Sequence, residues 1–344
     1  MSMVRLKDGK EVADFSVPYV IAEVNSSHNG NPEVAKQMID AAVQAKCDCV
    51  KFQSWSSQSL YSKTYYKANP LAKRFVDKFS MSADTLKEMA DYCKSRGISF
   101  SSTPYSYEEV DFLAEECGVP FIKISSMEVN NPKYLKYIAG KQLPIVLSTG
   151  MADYEEVKEA VRMIESTGNR DIIILHCVSI YPTPIEKVNI NNLITLKEMF
   201  PDYPVGFSDH TLGDSAAVAA TVLGAAVLEK HITLDASRIG MDNQMAMEPE
   251  PLKQFVRKCK DIRAALGTKE RVLWPEELKQ RESMRRSVVV TRDIKAGEIL
   301  QPEDLTVKRP GMGIAPTAFE SVVGCKAIHD IESDTVLTWN DLRK

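Results

Sequence analysis

From Pro18 onward the chain alternates short apolar runs with amphipathic stretches. The runs PYVIAEV (18–24), DCVKFQ (48–53), GISFSS (97–102), VPFIKI (119–124), LPIVLS (143–148), DIIILHC (171–177), YPVGFS (203–208) and AAVLEKH (225–231) read as buried strands. Between and after them, stretches such as 32–46, 82–96, 106–117, 153–167, 213–223 and 249–266 carry apolar residues at helical spacing. Several open with helix-start signals: Asn31-Pro32, Ser82 before Asp84, and Asp153 before Glu155 and Glu156. Strand–helix alternation predicts an α/β protein with a parallel sheet, and eight units predict closure into a (β/α)8 TIM barrel over residues 18–268. A doubly wound open sheet is the alternative. It would place Gly-x-Gly-x-x-Gly after the first strand, where this chain has Asn25-Ser26-Ser27-His28-Asn29-Gly30.

The flanks are patterned differently. Residues 1–17 hold Asp8-Gly9 between apolar positions and predict a β-hairpin. Residues 269–286 are charged, contain Trp274-Pro275 and read as a linker. Residues 287–344 begin with SVVV and contain a weak repeat, DIKAGEILQPEDL (293–305) against DIESDTVLTWNDL (330–342). They predict a small β-rich C-terminal domain, too small to stand alone comfortably and expected to dock.

Composition narrows the function classes. A formal net charge of −4 argues against nucleic acid as a partner, since neutralising phosphate backbones needs surplus Lys and Arg. A small anionic substrate remains compatible, because a few local cations override a weak global balance. The seven cysteines form no Cys-x-x-Cys pair and read as buried, reduced thiols. No run of about 18 apolar residues exists, and Lys7, Asp8, Lys10 and Glu11 stand where a signal peptide would be apolar. A cytoplasmic protein with no membrane contact is expected.

In a barrel of this kind, chemistry gathers at the carboxyl ends of the strands. Those ends offer Glu23; Lys51 and Gln53; Thr103; Lys123, Ser125, Ser126 and Glu128; Ser148-Thr149-Gly150; His176 through Ser179 to Tyr181; Ser208-Asp209-His210; and Glu229 with His231. A lysine inside an apolar strand is costly unless paired or holding an anion. Lys51 and Lys123 either form salt bridges to Glu23 or Glu128, or clamp an anion with the hydroxyls of Thr103, Ser126 and Ser148. His210 and His231 occupy equivalent positions on successive strands. They are either structural or share a divalent metal, with Glu229, Asp209 and Asp242 orienting or ligating.

Read together, these segments resemble the sialic acid synthase family. The resemblance rests on Ile21-Ala22-Glu23, Val50-Lys51-Phe52-Gln53, Ser102-Thr103-Pro104, Lys123 to Glu128, Leu147 to Met151, His176 to Pro182, Ser208 to Thr211 and Glu229-Lys230-His231. Ile294 to Glu298 and Lys308 to Gly313 resemble that family's antifreeze-like (SAF) domain. The resemblance implies a synthase that condenses phosphoenolpyruvate with an N-acylated amino-sugar aldehyde and releases phosphate. It implies that Lys51, Thr103, Lys123, Ser126, Ser148, Ser179 and Ser208 hold phosphoenolpyruvate, and that Asn69, Tyr181, Asp242 and Arg309 meet the sugar. Glu23, Glu128 and His231 would be catalytic, His210 and His231 would bind Mn²⁺ or Mg²⁺, and a domain-swapped homodimer would present Arg309 to its partner's barrel. Ser179 and the loop Gly240-Met241-Asp242-Asn243-Gln244 depart from the commoner pattern, and the loop favours a 6-deoxy-2,4-diacetamido sugar over N-acetylmannosamine. The rival readings are a Schiff-base aldolase using Lys51 or Lys123 and a non-catalytic sugar-binding barrel.

Overall fold

The computed structural model describes residues 2–238 and 240–344 of the protein, and among the described residues up to Gly267 it has ten strands and ten α-helices. β1 (Met3–Arg5) and β2 (Glu11–Ala13) form an antiparallel hairpin, with Gly9 at a left-handed φ of 86° in the turn. Eight parallel strands follow: β3 (Tyr19–Glu23), β4 (Cys49–Gln53), β5 (Ser99–Thr103), β6 (Ile122–Ile124), β7 (Ile145–Ser148), β8 (Ile172–Cys177), β9 (Val205–Asp209) and β10 (Val227–His231). β10 pairs with both β9 and β3, so the sheet wraps around in the order β5-β4-β3-β10-β9-β8-β7-β6. At the seam between β5 and β6, Ser101 Oγ donates to the Phe121 carbonyl at 3.0 Å. The expected TIM-like barrel is present.

All eight strands are buried at every position or all but one, because helices cover the outside and side chains fill the inside; this is why they read as near-continuous apolar runs. The covering helices include α1 (Pro32–Gln44), α4 (Ala83–Ser95), α7 (Tyr154–Glu165), α9 (Ser215–Val222) and α10 (Pro249–Leu266). Asn31, Ser82 and Asp153 cap α1, α4 and α7 with their side chains, as their sequence signals predicted. Residues 106–117 differ from a plain helix: α5 (Tyr107–Asp111) runs into a π-helical turn, Phe112–Cys117. The long connection after β4 holds two short helices, α2 (Lys63–Ala68) and α3 (Pro70–Phe79), over a satellite cluster of Trp55, Tyr66, Val76 and Phe79.

Val4, Leu6 and Val12 of the hairpin pack on Ile21, Cys49, Val146, Ile173 and Val227, the inward residues of the barrel. Lys7 N–H donates to the Pro120 carbonyl at 3.2 Å, and Asp14 Oδ1 accepts from Val205 N–H at 2.9 Å. The amino end of the barrel is stoppered by its own leading segment. The interior of the barrel is open at its carboxyl end.

The second unit, Thr268–Lys344, contains α11 (Pro275–Met284) in the segment read as a linker. Beyond it, β11 (Ser287–Val290) pairs antiparallel with β12 (Leu305–Lys308), and β13 (Lys326–Ala327) with β14 (Leu342–Arg343). Val288, Val290, Ile294, Leu300, Leu305, Ile331 and Leu337 form its core, so both halves of the sequence repeat contribute. Among the described residues, no helix is long and apolar enough to cross a membrane.

Candidate active site

A cavity of about 420 Å³ opens at the carboxyl ends of the barrel strands. Its floor is ionic. Lys51, from β4, forms an ion pair with Glu23 of β3, lies 3.7 Å from Glu229 Oε2 and donates to Thr103 Oγ1 at 3.1 Å. Lys123, from β6, donates to Ser148 Oγ at 2.7 Å and lies 4.0 Å from Glu229 Oε1, which also accepts from Ser208 at 2.8 Å. Both lysines and both carboxylates are at least 96% buried. Burial at this level works against every charge, so the balance between partners decides each state. Burial pushes Lys51 down, but Glu229 and Glu23 outweigh it and hold the ammonium firmly protonated. For Lys123 burial wins, and its pKa falls below the ordinary lysine range. Burial also pushes Glu229 up, yet Lys123 and Lys51 together hold it well below the usual carboxylate range. Glu23 is raised by burial and then by the nearby Glu229 charge, against the pull of Lys51.

Two lysines therefore face Glu229 and Glu23 across a floor whose hydroxyls point inward. Glu229 Oε2 and Ser125 Oγ make no hydrogen bond among the described residues, and both residues line the cavity. Polar groups left open in a cavity await a ligand or water. Gly150 follows β7 and donates its N–H to Ser126 Oγ at 2.9 Å. A Cβ there would fall 2.3 Å from Ser179 Oγ and 2.9 Å from Ser126 Oγ, so only glycine lets these two hydroxyls converge.

Glu23 is held from the far side. Gln53 Nε2 and Asn25 N–H both donate to its Oε1, at 2.9 and 3.1 Å. Trp55 Nε1 and the Tyr105 hydroxyl each donate to Gln53 Oε1 at 2.9 Å, which fixes the amide's orientation. Asn25, at a left-handed φ of 43°, also donates to Asp242, tying the loop after β3 to the loop after β10.

His210 and His231 face each other with ring centroids 5.4 Å apart, and Tyr181 lies 4.3 Å from the His210 ring. The Val178 carbonyl sits 2.9 Å from His210 Nδ1 and can only accept, so in the neutral ring that nitrogen carries the proton and Nε2 keeps its lone pair. Burial lowers His210, but Cys177 and Val178 outweigh it and raise it. Burial and then His210 push His231 well below its ordinary value, leaving it neutral. Among the described residues, no cluster of three or more His, Cys, Asp or Glu is placed to enclose a metal. Two imidazoles with available nitrogens fit a divalent cation that completes its coordination with substrate and water.

The sequence profile of the NeuB family matches residues 38–271, and that of the SAF domain matches residues 285–343. The chain belongs to the NeuB family. It is 37% identical to an uncharacterised protein of Methanocaldococcus jannaschii over 99% of both chains. It is 35% identical to the N,N'-diacetyllegionaminic acid synthase of Legionella pneumophila over 94% of both. Among solved structures, the N-acetylneuraminic acid synthetase of Leptospira borgpetersenii superposes with a TM-score of 0.74 at 28% identity, covering 82% of this chain and 98% of that one.

In this NeuB-family barrel, Glu23, Lys51, Thr103, Lys123, Ser126, Ser148, Ser179, Tyr181, Ser208, His210, His231 and Asp242 all line the one cavity. Glu128 does not. It ends a 3₁₀ turn, Ser126–Glu128, whose three-residue period aims Ser126 and Met127 at the cavity and Glu128 elsewhere, where Asn131 donates to it at 2.8 Å. Asn69 is not brought there either: it joins α2 to α3, its amide donating to the Tyr65 carbonyl at 3.2 Å. Arg309 is exposed on the turn after β12, in the second unit. Residue types alone did not single out the aromatic and methionine lining, namely Trp55, Tyr61, Tyr105, Met127, Met151 and Met241.

Proposed function

We propose that this NeuB-family chain is a nonulosonic acid synthase: it joins phosphoenolpyruvate to the aldehyde of an N-acylated amino sugar and releases phosphate. The observation that carries this reading is the floor itself, two buried lysines and converging hydroxyls that suit a small, multiply charged anion. Lys51 and Lys123 would neutralise its carboxylate and phosphate, with Thr103, Ser126, Ser148, Ser179 and Ser208 donating hydrogen bonds. Carbon–carbon bond formation leaves negative charge on the former aldehyde oxygen. Glu23 suits a proton donor there, because burial raises its pKa while Gln53 and Asn25 fix its direction. Water then adds to the carbon bearing phosphate, and phosphate leaves.

His210 and His231 would hold a divalent cation, and imidazole ligation favours Mn²⁺ over Mg²⁺. Such a cation supplies Lewis acidity toward the sugar's aldehyde and a place for water. Tyr181 and Asp242 would face the sugar, with Arg309 reaching it from a partner subunit in a homodimer. Around the mouth, Leu60, Tyr61, Met127, Met151 and Met241 offer apolar contact, and Lys51 and Lys123 are the only cations among the described lining residues. This suits a 6-deoxy-2,4-diacetamido sugar better than a phosphorylated one. Seven unpaired cysteines suit a reducing cytoplasm.

Phosphate release from phosphoenolpyruvate, measured against N-acetylmannosamine and 2,4-diacetamido-2,4,6-trideoxyhexoses with Mn²⁺ present, tests the reading. Turnover of a diacetamido sugar, abolished by chelation and restored by Mn²⁺, is expected. No phosphate release with any member, or a borohydride-trapped lysine adduct, would overturn it.

A further inference from the structure

One ion pair on the outer face of the barrel belongs to none of this chemistry. Along β10, Glu229 and His231 line the cavity, while Lys230 between them points the other way and is fully buried. Its register partner on β9 is Asp209, the residue just before His210, and is 1% exposed. Lys230 Nζ donates to Asp209 Oδ2 at 2.9 Å and to the Thr211 carbonyl at 2.6 Å, while Thr211 N–H donates to Asp209 Oδ1 at 2.8 Å. These three bonds close a ring through the residues on either side of His210. The cation at their centre adjoins His231 in the chain.

A buried ion pair is a poor stabilising device, since a well-packed apolar pair often serves as well. What charges with fixed bonds do provide is geometry. The Lys230 ring fixes the direction of the turn that carries His210, and it ties β9 to β10 at the level of the two imidazoles. The Val178 carbonyl then sets that ring's rotation from the inner side.

We propose that Lys230 is a positioning residue, acting through Asp209 and Thr211 to set the metal affinity of the His210–His231 pair. The inference rests on reading those histidines as metal ligands. Outer partners of metal ligands typically change affinity by about 10–100-fold when removed.

Titrating the metal-free, full-length protein with Mn²⁺, followed through the electron paramagnetic resonance of the free ion, measures this directly. The double variant Asp209→Leu/Lys230→Met removes both charges together. It should melt near the wild type and bind phosphoenolpyruvate unchanged by calorimetry, yet lose about 10–100-fold in Mn²⁺ affinity. Lys230→Arg, which keeps the cation, should retain more affinity than the double variant. If the double variant fails to fold, Asp209→Asn carries the same expectation. Mn²⁺ affinity equal to wild type in a folded variant overturns the proposal, as does equal loss of Mn²⁺ and phosphoenolpyruvate binding. No Mn²⁺ site in the wild type would overturn the ligand reading itself, and this inference with it.

Discussion

Lys51 and Lys123 share a floor but not a fate, and the difference is testable. Lys51 is held protonated by two carboxylates, whereas burial leaves Lys123 below the ordinary lysine range. A bound anion favours the ammonium form. Affinity for phosphoenolpyruvate is therefore complete at pH values below the pKa of Lys123 in the free protein and declines as pH rises past it. Calorimetric titrations from neutral to alkaline pH should show this decline before an ordinary lysine, near 10.4, would lose its proton. Lys123→Arg, always charged, should flatten it. Lys123→Ala should weaken phosphoenolpyruvate binding by about 2–5 kcal/mol, more than tenfold, without unfolding the protein. Unchanged affinity would reduce Lys123 to a structural ion pair. These lysines were legible in the sequence because a charge in an apolar strand demands an explanation. Trp55 and Tyr105 were not, since their convergence on Gln53, and through it on Glu23, arises only when the loops after β4 and β5 meet.

Among elements, strands were easier to read than loops. Each barrel strand is a short apolar run, so its position is written locally; α6 (Pro132–Gly140), as amphipathic as α1, was not singled out, and α8 (Asn192–Met199), only weakly amphipathic, left a fainter trace. The excursion after β4 was opaque because its helices bury few residues against a satellite cluster rather than the main core. Glu128 stands among the strand-end residues in sequence, but it closes a 3₁₀ turn and meets Asn131 rather than the cavity. The loop after β10 owes its shape to Asn243, 3% exposed, which accepts from Thr233 Oγ1 at 2.5 Å and donates to the Asp235 and Arg238 carbonyls at 2.6 and 2.9 Å. Asn243→Ala should release the loop carrying Asp242. The sugar's KM should rise while that of phosphoenolpyruvate stays put, and parallel rises in both would refute this. Gly150→Ala should do the reverse, because its methyl group displaces Ser126 and Ser179 from the anion floor. Steady-state kinetics with each substrate varied in turn separates the two.

At the scale of the whole molecule, both units were legible, the barrel from eightfold alternation and the second as a small β-rich domain from its internal repeat, its SAF character coming from the family resemblance. How two copies combine is written in neither pattern. If a homodimer presents Arg309 to its partner's barrel, mixing inactive Arg309→Ala with inactive His231→Ala should restore activity. Random exchange puts half the molecules in heterodimers with one competent barrel each, so recovery should approach about a quarter of wild type. Demonstrated heterodimers without recovery would refute action in trans.

The stoppered amino end turns the barrel into a blind alley. With Val4, Leu6 and Val12 filling one end, anything resting on the lysine floor enters and leaves past Tyr181, Met151 and Met241. A sugar seated at that rim is a cork over the smaller anion beneath. On the proposed reading traffic is then ordered: the three-carbon acid enters ahead of the sugar, and a sugar arriving at an empty floor blocks it.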